Sequence, residues 1–317
     1  MRLLKLVPDN TNLPFVSLRK WAFGLTLLLS VLAIGATVYK GLNFGVDFEG
    51  GLMIEENFPT PPNLDRVRSV VDGLGLGESA LQTFEDPKRL SIRLPNPENA
   101  DEGAINATIE KVKAALAREF PGATFSRYDT VSGKVSGELI RKGILSVVLA
   151  IGGIFAFTIA RFEWQFGVST VVAIVHDLIM TIGFFAITQM EFNLHIVAAV
   201  LTIVGYSIND KIVIDDRIRE NMRKYRKMGM KEIVDLSVNE TLPRTVMTSL
   251  TVLLALGSLL ILGGHVLRGF TAAMVLGIIV GTYSSIYVSS SLLITLGLRA
   301  NPDAEEGKAK SGKIGRA

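Results

Sequence analysis

Leu201-Thr-Ile-Val-Gly-Tyr-Ser-Ile-Asn-Asp-Lys-Ile-Val-Ile-Asp-Asp-Arg-Ile-Arg-Glu-Asn221 continues an apolar run from Leu194 that is long enough to cross a bilayer. Near its far end it carries Asn209, Asp210 and Lys211, and then it turns into a dense basic segment. An aspartate at a helix centre costs about 2.5–3.5 kcal/mol on insertion scales, so it persists where something uses it. Asp210 lies about one to two turns inside the expected cytoplasmic end, too deep to reach water by bending.

Around this stretch the other apolar residues are clustered. Of 317 residues 49% are hydrophobic and the mean hydropathy is +0.39. Six windows of membrane-spanning length stand out, at residues 21–38, 139–160, 166–188, 194–214, 245–262 and 270–298. The first follows Arg19-Lys20 and lacks a small-x-small cleavage site, which reads as an uncleaved signal anchor.

Basic residues set the expected topology. Arg2, Lys5, Arg19 and Lys20 stand against Asp9 before span one, which predicts a cytoplasmic segment over 1–20 and span one over 21–39. Arg217, Arg219, Arg223, Lys224, Arg226, Lys227 and Lys231 fill a basic cytoplasmic segment over 216–243, between spans four and five. Arg268, in a short outer turn, is the exception. Both termini are expected inside, and the tail over 299–317, with Ile314 as its one large apolar residue, is expected to be disordered.

Residues 40–137 form an outer polar segment large enough for a small domain. Alternation over 52–58, 80–84, 89–94 and 123–131 predicts four strands, and helical spacing over 63–74 and 104–120 predicts two helices. The β-α-β-β-α-β order is that of the ferredoxin-like split motif. The expected fold is therefore a six-span α-helical membrane protein, with spans two to six over 138–298 and one periplasmic α+β ferredoxin-like domain between helices 1 and 2. Gly45, Gly50 and Gly51 bracket Val46-Asp47-Phe48-Glu49 in a short, rigid structural turn out of the membrane.

Several chemistries are excluded or weak. The chain has no cysteine, so disulfides, thiolate metal sites and thiol nucleophiles are absent. The net charge of +3 implies no large nucleic-acid footprint. No G-x-x-x-x-G-K-[ST] occurs, and Gly73-Leu-Gly-Leu-Gly77 follows a helix instead of opening one, which suits a helix-ending turn. His176, His195 and His265 form no ligand spacing. No metal, no cofactor and no enzymatic activity are expected, with protons as the coupling ion.

The polar groups inside the spans carry the functional reading. Arg244, after Pro243 at the expected start of span five, is the natural partner of Asp210. Arginine does not deprotonate, so it acts as a switchable counter-charge whose movement loads or releases a proton; the alternative is a buried structural ion pair. Tyr206, Ser207 and Asn209 supply hydroxyls and an amide near Asp210, and Gly205 allows close helix approach. His176-Asp177 in span three reads either as a helix–helix hydrogen bond that fixes packing or as part of a proton path. Lys211 and Asp215, four apart on one helix face, are expected to neutralise each other as a rim ion pair, with Lys211 snorkelling toward the headgroups.

Leu42-Asn-Phe-Gly-Val-Asp-Phe-Glu-Gly-Gly51, His176-Asp177, Val204-Gly-Tyr-Ser-Ile-Asn-Asp210, Asp216-Arg-Ile-Arg-Glu-Asn221 and Asn239-Glu-Thr-Leu-Pro-Arg-Thr-Val-Met-Thr-Ser249 together resemble the SecF family, over residues 15–298. The resemblance implies a bacterial inner-membrane subunit of the resistance-nodulation-division superfamily that pairs with SecD and uses the proton gradient to promote protein export. It further implies Asp210 and Arg244 as proton-pathway residues. As partners it implies the Sec channel SecYEG, YajC, unfolded secretory polypeptide and membrane lipids. Two positions depart from the family's pattern: Lys211, where a small uncharged residue is usual, and Asp215, where an acid is not. The rival readings are a half-transporter of the same superfamily exporting a small molecule or lipid, and a non-conducting scaffold. The first of these typically carries larger outer domains and a repeated six-span unit.

Overall fold

The structure, a computed structural model, describes Pro8 and residues 11–77, 79–84, 86–97, 102–264 and 267–298. Arg2, Lys5 and Asp9, His265 and the 299–317 tail lie outside the described residues. Among the described residues six helices are long and apolar enough to cross a membrane. They are α1 (Arg19–Lys40), α5 (Gly133–Arg161), α6 (Trp164–Thr188), α7 (Leu194–Lys224), α8 (Met230–Leu262) and α9 (Arg268–Tyr283), the last continued by a π-helical segment (Ser284–Ser289) and α10 (Ser290–Thr295). The chain divides into two compact units, one of residues 1–41, 147–188 and 195–317, the other of residues 42–146 and 189–194.

The helical unit has two kinds of helix. α6 and α7 are buried on many sides, whereas α1 leaves Leu25, Leu27, Leu28, Val31 and Leu32 exposed, as suits a helix solvated by lipid. Helices come close where side chains are smallest, because apolar burial gives no preference for protein over lipid tails inside a bilayer. A Cβ on Gly183 would fall 2.3 Å from Ala33 Cβ, and one on Gly277 would fall 2.4 Å from Ile203 Cγ1. Gly205, by contrast, is exposed and meets nothing within 4 Å, so the close approach expected there occurs at the Gly277-x-x-x-Gly281 pair on α9 instead.

Two more departures shape this unit. The segment over 216–243 between spans four and five is formed by the continuation of both helices, leaving only 225–229 as a turn. Pro243 therefore sits inside α8, where it removes one backbone donor without ending the helix. The α7–α8 hairpin is pinned by Asn221, whose amide donates to Ser237 Oγ (3.0 Å) and Glu240 Oε2 (2.7 Å), and by Arg217, which donates to the same Glu240 oxygen (2.7 Å). Further along α8, Asn239 exchanges two 2.9 Å bonds with the Leu13 backbone, and Asp235 Oδ1 accepts from Val16 N at 2.8 Å.

The second unit holds a short helix α2 (Val46–Glu49), strands β1 (Gly51–Asn57), β2 (Ala80–Thr83), β3 (Arg89–Leu94) and β4 (Thr124–Val131), and helices α3 (Leu64–Asp72) and α4 (Glu102–Glu119). The sheet runs β2-β3-β1-β4 with every pair antiparallel, so each helix returns the chain to a strand one place removed. Leu52, Ile54, Leu90, Ile92 and Leu94 pack with Val67, Val71, Val112 and Leu116 of the two helices. On the opposite face Glu55 is ion-paired with Arg127 (2.7 Å) and Arg89 (3.3 Å).

Candidate proton site and the polar interior of the helix bundle

Asp210 projects from the middle of α7 into the helical unit, where it is 3% exposed. Its Oδ2 is buried and has no hydrogen-bond partner among the described residues. Arg244 acts on it electrostatically, but the two form no ion pair among the described residues, and Arg244 is exposed on α8. The direct pairing expected from the sequence is thus absent. α8 runs unbroken through Pro243, so Arg244 lies within a continuous helix and not at a helix start.

The expected neighbours of Asp210 serve elsewhere. Asn209 is exposed, one residue and about 100° round the helix from Asp210. Tyr206 donates to Ser249 Oγ on α8 at 3.2 Å, and Ser249 shares a 2.9 Å bond with Thr282 on α9. Ser207 donates to Asp177 Oδ2 on α6 at 2.7 Å.

Asp177 joins three side chains of the bundle. Its Oδ2 also accepts from Ser284 Oγ at 3.0 Å, and its Oδ1 lies 3.1 Å from His176 Nδ1. One carboxylate, 1% exposed, therefore ties α6, α7 and the π-helical segment together. Gly281 makes room for this meeting: a Cβ there would stand 3.2 Å from Ser207 Cβ and 3.6 Å from Asp177 Oδ2. Ser285 adds a 3.3 Å bond to the Ser207 carbonyl.

Ser249, Thr282, Ser284 and Ser285 were not among the expected site residues. The signal available for them was the run Ser284-Ser-Ile-Tyr-Val-Ser-Ser-Ser291, in which all five serines are buried. A π-helical segment widens the spacing of side chains, and such segments are frequent at functional sites. Ser289 Oγ, Ser291 Oγ, Thr245 Oγ1 and His176 Nε2 are further buried polar atoms without a partner among the described residues.

Lys211 and Asp215 do pair, at 2.6 Å. They are buried in protein, however, and not exposed as snorkelling requires: Lys211 is 2% exposed and Asp215 0%. Lys211 does not snorkel because its helix face turns into protein, with Nζ 6.0 Å from the Phe166 ring centroid and Ile214 and Ile218 packed into the core beside it. Asp215 Oδ2 has no partner among the described residues. Gly45, Asp47, Gly50 and Gly51 all lie in the other unit, around α2 and the start of β1.

Comparison with known proteins adds a family to this geometry. The family described as "Protein export membrane protein SecD/SecF, C-terminal" matches residues 111–299. The chain is 40% identical over 311 residues to the protein translocase subunit SecF of Cereibacter sphaeroides, covering 96% of each protein. It is 41% identical over 292 residues to the SecF of Rickettsia bellii, covering 92% of this chain and 95% of that one. Among solved structures it resembles SecDF, a translocon-associated membrane protein from Thermus thermophilus, with a TM-score of 0.83 at 35% identity over 93% of this chain. It also resembles SecDF in the super-membrane-facing form, with a TM-score of 0.66 at 34% identity over 97% of this chain. The chain spans 40% of the length of either SecDF chain. Related at this level over nearly its whole length, and a multi-pass membrane protein like them, the chain belongs to the SecF family.

Proposed function

We propose that this chain is the proton-coupled subunit of a Sec translocase accessory complex, paired with SecD in the bacterial inner membrane with both termini in the cytoplasm. Asp210 takes up and releases the proton, and Arg244 is its counter-charge. The ferredoxin-like outer domain, together with SecD, holds or pulls unfolded polypeptide emerging from SecYEG, with YajC and lipids as further neighbours. The observation that carries this reading is the buried oxygen of Asp210, without a hydrogen-bond partner among the described residues and within electrostatic reach of Arg244.

The chemistry follows from that arrangement. An ionised Asp210 attracts the guanidinium, and a proton on the carboxylate removes the attraction. A proton crossing 100 mV releases about 2.3 kcal/mol, which is of the size that separates two conformers of a domain. The hydroxyl-lined interior around Tyr206, Ser207 and Asp177 supplies groups that hydrogen-bond a passing proton or water, with His176 beside them. The names of the relatives favour polypeptide over a small molecule as the cargo.

The test uses vesicles containing this chain, its SecD partner and the translocon. Asp210→Asn is expected to lower proton-driven export to the rate measured without a gradient. Arg244→Lys keeps the charge and retains more activity than Arg244→Gln. An Asp210→Asn protein that assembles normally and exports at full rate would sink the reading in favour of a passive scaffold.

A further inference from the structure

The Gly45–Gly51 stretch does more than turn the chain. Asn43 O accepts from Phe192 N at 2.7 Å and Phe192 O accepts from Gly45 N at 2.9 Å, which makes an isolated parallel bridge between Phe44 and Phe192. Asn43 Nδ2 donates to the Gln189 carbonyl at 2.9 Å. Phe44, Phe48 and Phe192 pack as a ring cluster with centroids 5.9–6.1 Å apart. A Cβ on Gly45 would lie 2.4 Å from Glu191 Oε1 and 3.1 Å from Asn193 Cβ, so glycine permits this docking.

Asp47 completes the set. Its Oδ2 accepts from Leu194 N at 2.8 Å, and Leu194 is the first residue of α7. The first N–H groups of a helix have no partner within it, and a carboxylate placed there is favoured by the helix dipole as well. The capped helix is the one that carries Asp210, sixteen residues or about 24 Å further on, without a break.

We infer that Asp47 is a positioning residue for proton-driven export, fastening the turn that leads into the sheet domain to the end of the helix that carries the proton. This rests on the proton-coupled reading of Asp210. When α7 shifts or rotates as Asp210 changes charge, the 189–194 loop moves with its first turn, and the bonds to Asn43, Gly45 and Asp47 carry the movement into β1. All four bonds end on the loop through backbone N–H or carbonyl groups of Gln189, Phe192 and Leu194, and the two at Phe192 are backbone to backbone. The grip therefore depends little on the side chains of the loop.

The same vesicles test it with two readings, export rate and proton uptake followed by a pH-sensitive dye. Asp47→Ala is expected to keep proton uptake and to lose about fivefold or more in export, the factor that one helix-capping bond amounts to. Asp47→Asn keeps an acceptor oxygen and is expected to restore export. Should Asp47→Ala not assemble, Asn43→Ala removes only the bond to the Gln189 carbonyl, and is expected to lower export with uptake intact. Full export from whichever variant assembles, or uptake and export falling in parallel, overturns the inference. Asp210→Asn in the same preparation separates the two ideas: if it too leaves uptake and export unchanged, the proton reading has failed and not the coupling alone.

Discussion

Ser207 on span four donates a 2.7 Å hydrogen bond to Asp177 on span three, and the same oxygen accepts from Ser284 on span six. Hydrogen bonds inside a bilayer average about 0.6 kcal/mol and reach about 1.7, because the separated helices find other partners. Ser207→Ala is therefore expected to lower the unfolding free energy in detergent by about 0.5–1.5 kcal/mol. Asp177→Leu, which removes both serine bonds and the histidine contact, should cost more than Ser207→Ala and Ser284→Ala each cost alone. Thermal unfolding of the purified protein checks the order.

The Lys211–Asp215 pair predicts an asymmetry between single and double changes. Removing one partner of a buried ion pair leaves an uncompensated charge, at a cost of about 3–5 kcal/mol. Lys211→Met is expected to reduce folded yield sharply, whereas Lys211→Met with Asp215→Leu returns it near the parent level. Equal losses from the single and the double variant would show that the two groups do not compensate each other.

Close approach makes a prediction of opposite signs at two glycines of the bundle. Gly277→Ala drives a Cβ to within 2.4 Å of Ile203 and is expected to destabilise by about 1–3 kcal/mol through overpacking. Gly205→Ala meets nothing within 4 Å and should be neutral or slightly stabilising, since alanine is the better helix former. Melting points of the two variants in the same detergent decide it.

Glu56 gives the sheet domain a pH dependence. Burial pushes its carboxyl up from 4.5 to about 7, with Lys113 offsetting part of the effect. The folded state therefore binds this proton more tightly than the unfolded one, and stability falls as pH rises from about 4.5 through about 7. Amide exchange at β1 in the whole chain, corrected for the intrinsic rate, should show easier opening at pH 7.5 than at pH 5.5. Glu56→Gln is expected to flatten that difference.

The elements were legible because their signals are local. Uncharged windows mark spans, and the alternation in Leu52–Phe58 or the spacing of Ile105, Ile109, Val112 and Leu116 marks the strands and helices of the outer segment. Facing was not legible in the bundle. A membrane helix is apolar on its lipid side and its protein side alike, so no polarity stripe told that Gly205 and Asn209 turn outward or that Lys211 turns inward. The helical wheel paired Lys211 with Asp215 correctly, while their burial was set by Phe166 and the core residues around it. Asp177 was legible as half of a polar dipeptide, but its serine partners are 30 and 107 residues away.

The grip of Asn239 and Asp235 on Leu13 and Val16 sets an order of events during synthesis. The partners are 226 and 219 residues apart, so the first stretch of the chain leaves the ribosome long before anything exists to hold it. At about 5–20 residues per second, that wait lasts about 10–45 s. Throughout it the backbone around Leu13 must be satisfied by water or by a chaperone, and the bundle closes on its own beginning only after the first turns of the fifth helix have been made.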